Sequence, residues 1–345
     1  QAFPPVSGSV VAEAIVSGSV GDPVIRGTAD VTGVDAWQLH AANGHVDLRV
    51  APVRGLGELT LRVPELEWQR EVATQASARV AFSTRSIDLV DLRAAQPDGQ
   101  GQISAAGRWN TRTSTFDARA TVMAWRVLPG PSVPVSGVLA ATLTMRGSIE
   151  APSGRADITV AGASWEGAQV GDLVVQGIAD GRDVRAEASA AALGLTATGS
   201  AALQGARQAV VDIRGPALQL ARLTALLPAG SIPVDVSGQA DVSAHAEGPL
   251  TSWRDGRVTV RVGGLDGSLG TVPFSLTGPT DVQVSGQSIS VAPTTLRVGG
   301  VTLSAEGALG FSNVPSLNGL TVAARGDLGA FVGLRSEEHT SELQS

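Results

Sequence analysis

Arg257-Val258-Thr259-Val260-Arg261-Val262 alternates a polar side chain with valine at every step. Successive residues of a strand point to opposite faces, so this spacing gives a ribbon with one apolar and one polar face. The same alternation runs through Arg155-Ala156-Asp157-Ile158-Thr159-Val160, Asp281-Val282-Gln283-Val284-Ser285 and Val301-Thr302-Leu303-Ser304-Ala305-Glu306. It is present early in the chain as Val46-Asp47-Leu48-Arg49-Val50 and Leu59-Thr60-Leu61-Arg62-Val63. Turn-forming clusters recur every 8–12 residues or so, the expected spacing of short antiparallel strands. Pro97-Asp98-Gly99, Asp180-Gly181 and Gly263-Gly264 are read as such turns. An all-β, elongated repeat sheet is therefore expected.

One segment departs from this pattern. Pro216 to Leu227 (PALQLARLTALL) places Leu220, Leu223 and Leu227 at helical spacing. Pro216 suits a first helical turn, and Pro228 with Gly230 suits a stop. Gly329 to Leu334 reads as the start of a second such helix.

A longer repeat overlies the alternation. Gly8, Gly18 and Gly27 form one frame, Gly137, Gly147 and Gly154 a second, and Gly238, Gly248 and Gly256 a third. The first step is ten residues in each frame, and Pro23, Pro152 and Pro249 follow the middle glycine. A repeated strand group that cannot close its own core stacks on its neighbours and extends one sheet. The regions expected are 1–119, 120–215 and 216–334, the last containing the helix and the start of another repeat.

The 345 residues carry a net charge of −7. Every basic residue is arginine, and the arginines are scattered, so the footprint of a nucleic-acid binder is missing. With no cysteine, disulfide scaffolds, thiolate metal sites and thiol nucleophiles are excluded. The aromatic content of 3% argues against the girdles of a membrane β-barrel. The opening Gln1 to Pro5 lacks an initiator methionine and reads as the start of an internal fragment. Arg335 to Ser345 (RSEEHTSELQS) resembles a translated sequencing adapter and is expected to be an artefactual tail.

No catalytic or cofactor-binding constellation emerges. His40 and His45, with Asp35 and Asp47, flank Asn43-Gly44, which reads as a hairpin turn carrying solvated histidines. His245 sits between Ala244 and Ala246 and is expected to face outward. Gly99-Gln100-Gly101 and Gly55-Leu56-Gly57 lack the rest of a dinucleotide fingerprint. Asp180, Asp183 and Glu187 read as a solvated turn. Catalytic residues, metal sites and cofactors are expected to be none, and the chain is not expected to be an enzyme.

The stretches Ser237 to Val260 (SGQADVSAHAEGPLTSWRDGRVTV) and Ser136 to Val160 (SGVLAATLTMRGSIEAPSGRADITV) resemble the TamB-like members of the AsmA-like envelope proteins of Gram-negative bacteria. Leu218 to Leu227, followed by Gly230-Ser231-Ile232-Pro233-Val234, is similar to that family's junction between helix and strand. The resemblance covers about residues 120–334 well and 1–119 more loosely. It implies a sheet curved into a U-shaped, β-taco-like groove that crosses the periplasm, with an inner-membrane anchor outside this segment. It implies phospholipid transport toward the outer membrane, or assembly of outer-membrane proteins with a barrel partner.

Physical chemistry favours such a groove independently. Each methylene exposed to water costs about 0.8 kcal/mol, so a chain of about fifteen costs about 12 kcal/mol in transit. A trough lined by alternating strands removes that barrier without catalysis. The lining residues expected are Ile158, Val160, Val258, Val260, Val262, Val282, Val284, Val301 and Leu303. The same stripes also suit an ordinary sandwich core. The alternative reading is a secreted or surface β-solenoid of adhesin type, although the repeat spacings here are longer and less even than one coil.

Overall fold

Valine, isoleucine and threonine fit a pleated, half-buried surface, and they recur at alternate positions in segment after segment of the chain. A computed structural model describes residues 7–36, 39–68, 71–129, 134–205, 207–227, 234–250, 252, 255–286, 288–311 and 315–326. Within them lie twenty-one strands, one five-residue α-helix and one turn of 3-10 helix. The expectation of an all-β fold holds.

The chain divides into two units, residues 1–186 and 187–345. The first contains β1 (Ser7–Ser19), β2 (Asp22–Ala36), β3 (Leu39–Ala51), β4 (Leu56–Trp68), β5 (Glu71–Ser83), β6 (Ser86–Ala95), β7 (Gln102–Asn110), β8 (Thr115–Val127), β9 (Val135–Ser148), β10 (Pro152–Trp165) and β11 (Ala168–Asp180). From β1 to β11, consecutive strands pair antiparallel. Among the described residues no pairing joins β1 to β11, so this meander is open, not a barrel. The next strand, β12 (Asp183–Ala190), carries the division between the units.

The second unit contains the 3-10 turn Ala191–Leu193, β13 (Leu195–Ala202), β14 (Gln208–Gln219), α1 (Leu220–Thr224), β15 (Val236–Pro249), β16 (Arg257–Leu269), β17 (Val272–Leu276), β18 (Thr280–Ser285), β19 (Ser288–Val298), β20 (Val301–Phe311) and β21 (Pro315–Gly326). It too is a meander, with one interruption. β17 pairs with the end of β16 and β18 with its beginning, and both pair with β19. They act as one strand broken at Thr277-Gly278-Pro279, where proline has no N–H to give the ladder.

The glycine frames mark hairpins β1–β2, β9–β10 and β15–β16. Gly18 (φ +99°) and Gly147 (φ +111°) are each the penultimate residue of the first strand. A Cβ at Gly18 would stand 2.6 Å from the carbonyl oxygen of Asp22, and one at Gly147 would stand 2.6 Å from that of Ala151. The first two copies thus carry the same backbone geometry at this position, which only glycine adopts without strain, whereas Gly248 in the third has no positive φ and instead lies close against Gly256.

Three local expectations are corrected. Pro216 to Gln219 is strand, because Leu218 and Gln219 pair with Ala240 and Gln239 and only Leu220–Thr224 is helical. The pairing with β15 overrides helical propensity, at the cost of a bulge containing Ala217 (φ +57°). Asn43-Gly44 is not a turn: both lie inside β3, where Asn43 pairs with Thr32 and Gly44 with Val31. Gly263-Gly264 lies inside β16, where Asp241 pairs with Gly264 and Val242 with Val262, leaving Gly263 as a bulge. Pro97-Asp98-Gly99 and Asp180-Gly181 do form turns: the Gln100 N–H donates to Asp98 Oδ1, and the Arg182 and Asp183 N–H groups donate to Asp180 Oδ1. The second helix expected at 329–334 and the tail 335–345 lie outside the described residues.

Candidate apolar face

Directly opposed residues of an antiparallel pair share a face, so the register can be followed from strand to strand. In the first unit one row runs Ala12, Ala29, Val46, Leu61, Ala78, Leu92, Ala105, Ala120, Leu143, Ala156, Gly177. It crosses eleven strands without a polar side chain. The next row, two residues along, runs from Ala14 through Leu48, Leu59, Val80, Leu89 and Met145 to Ala179. A third carries Val16, Ile25, Val50, Phe82, Ile87, Trp109 and Phe116. Ile158 and Val160 lie on this face as well, between Ala141 and Val175 and between Leu139 and Leu173.

The reverse face is charged. One row there reads Arg26, Arg49, Glu58, Ala81, Asp88, Arg108, Asp117, Arg146. Asp88 receives two hydrogen bonds from Arg108, at 2.6 and 3.0 Å. These hold its carboxyl below the ordinary range. A depression of about 390 Å³ on this side is bordered by Glu13, Arg26, Asp47, Arg49 and Glu58. His45, next to Asp47 and Arg49 in alternation along β3, belongs to this face too. His40 lies opposite Asp35, His45 opposite Asp30 and His245 opposite Asp212. Their Nδ1–H groups donate to those carboxylates at 2.8, 2.7 and 2.8 Å. His245 faces outward, as the alternation indicated.

Exposure distinguishes an open face from a closed core. In the first two rows and the third, the interior residues are half-buried, and only Ala179 is buried. Leu143 remains 38% exposed and Ile87 47%. Inner-face residues of a sandwich would be enclosed by the opposing sheet. Gly57 shows how the surface is levelled: the Phe82 ring opposite lies over it, 2.2 Å from where a Cβ would stand.

The second unit repeats the pattern over fewer strands. One row runs Ala197, Ile213, Ala244, Val260, Val282, Val291, and the next Val211, Ala246, Val258, Val284, Ile289, Leu309. Val262 continues the face between Val242 and Thr280. Val258, Val260, Val262, Val282 and Val284 are all half-buried.

Val301 and Leu303 stand differently. Val301 is 2% exposed, and Leu303 packs on a closed cluster of Val272, Phe274 and Val298. Leu220 of α1 packs on the same cluster. The helix therefore covers one end of the apolar face, and Val301 is enclosed beneath that end instead of lining an open surface.

Sequence reasoning named nine lining residues and omitted Leu48, Leu59, Val80, Leu89, Phe82 and Trp109. The alternation of Leu48 and Leu59 was plain, but nothing local joined them to the later strands. Among the described residues no cluster of potential metal ligands occurs, and no helix is long and apolar enough to cross a membrane. The chain matches no protein-family model, no characterised protein and no solved structure.

Proposed function

We propose that the apolar faces of these sheets receive the hydrocarbon chains of phospholipid. In this reading the chain is a segment of a TamB-like scaffold in the Gram-negative cell envelope. The observation that carries it is the set of three uninterrupted apolar rows in the first unit, half-exposed and backed by a charged face. At about 4.8 Å per strand and about 6.8 Å per two residues, the rows form a band about 48 Å by about 14 Å. That footprint exceeds the few hundred Å² of contiguous apolar surface a soluble protein ordinarily exposes.

Covering such a band is favourable at about 25 cal/mol per Å². A flexible acyl chain suits a face built of small and medium side chains, because it fills shallow relief and makes no hydrogen bonds. The unbroken rows also let a chain move from strand to strand without crossing a polar group. A barrel protein of the outer membrane is the proposed partner, and movement of lipid between the two membranes the proposed role. No group on either face is needed for a chemical step.

Native mass spectrometry of the chain, expressed in a Gram-negative host and purified without detergent, tests this. Co-purified phospholipid is expected. Lipid-free protein throughout would overturn the reading and leave a structural β module.

A further inference from the structure

The third apolar row of the first unit changes character between two glycines. From Gly57 of β4 it passes through Phe82, Ile87, Trp109 and Phe116 to Gly147 of β9. The chain has only six Phe and six Trp, and three of them meet here, on β5, β7 and β8. The rings of Trp109 and Phe116 stack with centroids 6.4 Å apart. Phe82, Trp109 and Phe116 are half-buried and Ile87 is exposed, so together they form an aromatic ledge.

Two hairpin turns border this ledge, and each presents an arginine. β5 and β6 turn at Thr84-Arg85, β7 and β8 at Thr111 to Ser114. Ser83 Oγ accepts from the N–H groups of Arg85 and Ser86 at 3.1 and 3.0 Å. Asn110 Oδ1 accepts from those of Arg112 and Thr113 at 3.0 and 3.1 Å. The Thr111 N–H donates to the Arg85 carbonyl at 2.9 Å, which ties one turn to the other. Both arginines are exposed, and among the described residues neither is in an ion pair. The acids nearest to them along the chain, Asp88 and Asp117, lie on the reverse face, and Asp88 is already held by Arg108.

We infer that Arg85 and Arg112 bind the phosphate of a phospholipid headgroup whose acyl chains lie on Phe82, Ile87, Trp109 and Phe116. This rests on the acyl-binding reading above and adds the place where the polar end of the lipid sits. The two turns are two strands apart, about 10 Å. That is about one Debye length at 0.1 M salt, so a phosphate between them is attracted by both charges. Guanidinium N–H groups match phosphate oxygens in geometry and charge. Tryptophan suits the boundary between hydrocarbon and water, because its ring is apolar and its N–H polar. Apolar ledge followed by arginine is the same order as acyl chain followed by phosphate. A headgroup of net negative charge is favoured over a zwitterionic one, whose ammonium would face the same two arginines.

Vesicles of phosphatidylglycerol or phosphatidylcholine with brominated acyl chains quench tryptophan fluorescence on contact and so test this with the full chain. At low salt, half-maximal quenching should need about tenfold less phosphatidylglycerol than phosphatidylcholine. Arg85→Gln/Arg112→Gln should bring that ratio to about one. Arg79→Gln/Arg119→Gln, an equal change of charge on the reverse face, should keep it. Trp109→Phe should remove part of the quenched signal, and added inorganic phosphate should not restore fluorescence. Circular dichroism checks that each variant keeps its strands. Quenching by both lipids without preference, a ratio indifferent to Arg85 and Arg112, or a quenched signal indifferent to Trp109 would overturn the headgroup site and leave acyl binding standing. Recovery of fluorescence with inorganic phosphate would assign the arginines to a free anion and overturn it too. No quenching by either lipid would overturn the acyl-binding reading itself, and this site with it.

Discussion

Val260 of β16 stands directly opposite Val282 of β18, while its chain neighbour Thr259 stands opposite Gln283. One residue of displacement separates the apolar face from the polar one. Asp at Val260 places a carboxylate among Ala244, Val282 and their neighbours, whereas Asp at Thr259 joins His245 and Gln283. Val260→Asp is therefore expected to lower bound phospholipid by about tenfold or more, and Thr259→Asp to leave it nearly unchanged. Lipid counted per chain by mass spectrometry checks this. Equal losses would remove the assignment of faces.

Gln96 is 8% exposed, and its amide completes a broken ladder. Its Nε2–H donates to the carbonyl of Arg126 at 2.8 Å, and its Oε1 accepts from the Arg126 N–H at 2.8 Å. Those backbone groups lie just past the bulge in β8. Gln96→Ala should cost about 1–3 kcal/mol in urea unfolding, since it leaves both groups without their partner. Gln96→Glu should recover little, because it keeps the acceptor and loses the donor. A Gln96→Ala protein as stable as wild type would show that the bridge contributes nothing.

Gly147 and Gly177 are constrained differently. Ala at Gly147 meets both a positive φ and the carbonyl of Ala151, and should destabilise by about 1–3 kcal/mol. Gly177 has no atom closer than 3.8 Å to its absent Cβ. Gly177→Ala should stay within about 0.5 kcal/mol of wild type. Thermal melts of the two variants side by side separate these outcomes.

His40 and His45 are both held above their ordinary value of 6.5, mainly by hydrogen bonds to Asp35 and Asp30. The folded chain keeps those protons to higher pH than the unfolded chain does. Their contribution is thus complete below about pH 6.5 and disappears as pH rises through the raised folded values. Asp88, Asp157 and Asp180 run the other way. Their carboxyls are held below 3.8 by Arg108, by Arg155 and by the backbone N–H groups of Asp183 and Arg182. Stability from them is present above that value and is lost on acidification. As pH rises from about 6.5 through the raised folded values, the wild-type melting temperature should fall relative to a His40→Gln/His45→Gln variant, and the two curves should then run parallel. Parallel curves throughout would mean that the pairs do not contribute.

Face membership was legible in the sequence because it is a local property. A side chain's parity within Arg257 to Val262, or within Val46 to Val50, decides which side of the strand it takes, whatever pairs with it. Turns were legible only where the chemistry was strong, as in Asp98-Gly99 and Asp180-Gly181. Asn43-Gly44 carried an equally strong hairpin signal and was absorbed into β3, because the ladder to Val31 and Thr32 outweighed two residues' preference. Leu218 likewise exchanged its helical pattern for a place opposite Ala240.

The alternating pattern by itself determined that this chain is a two-faced antiparallel β structure with aliphatic side chains on one side. Only the tertiary structure decided that Ala12 through Gly177 align into one row across eleven strands, and that Val301 is enclosed while Val260 is not. Those outcomes depend on register and on what lies above each face. Both are set by contacts between residues far apart in the chain, where a period of two carries no information.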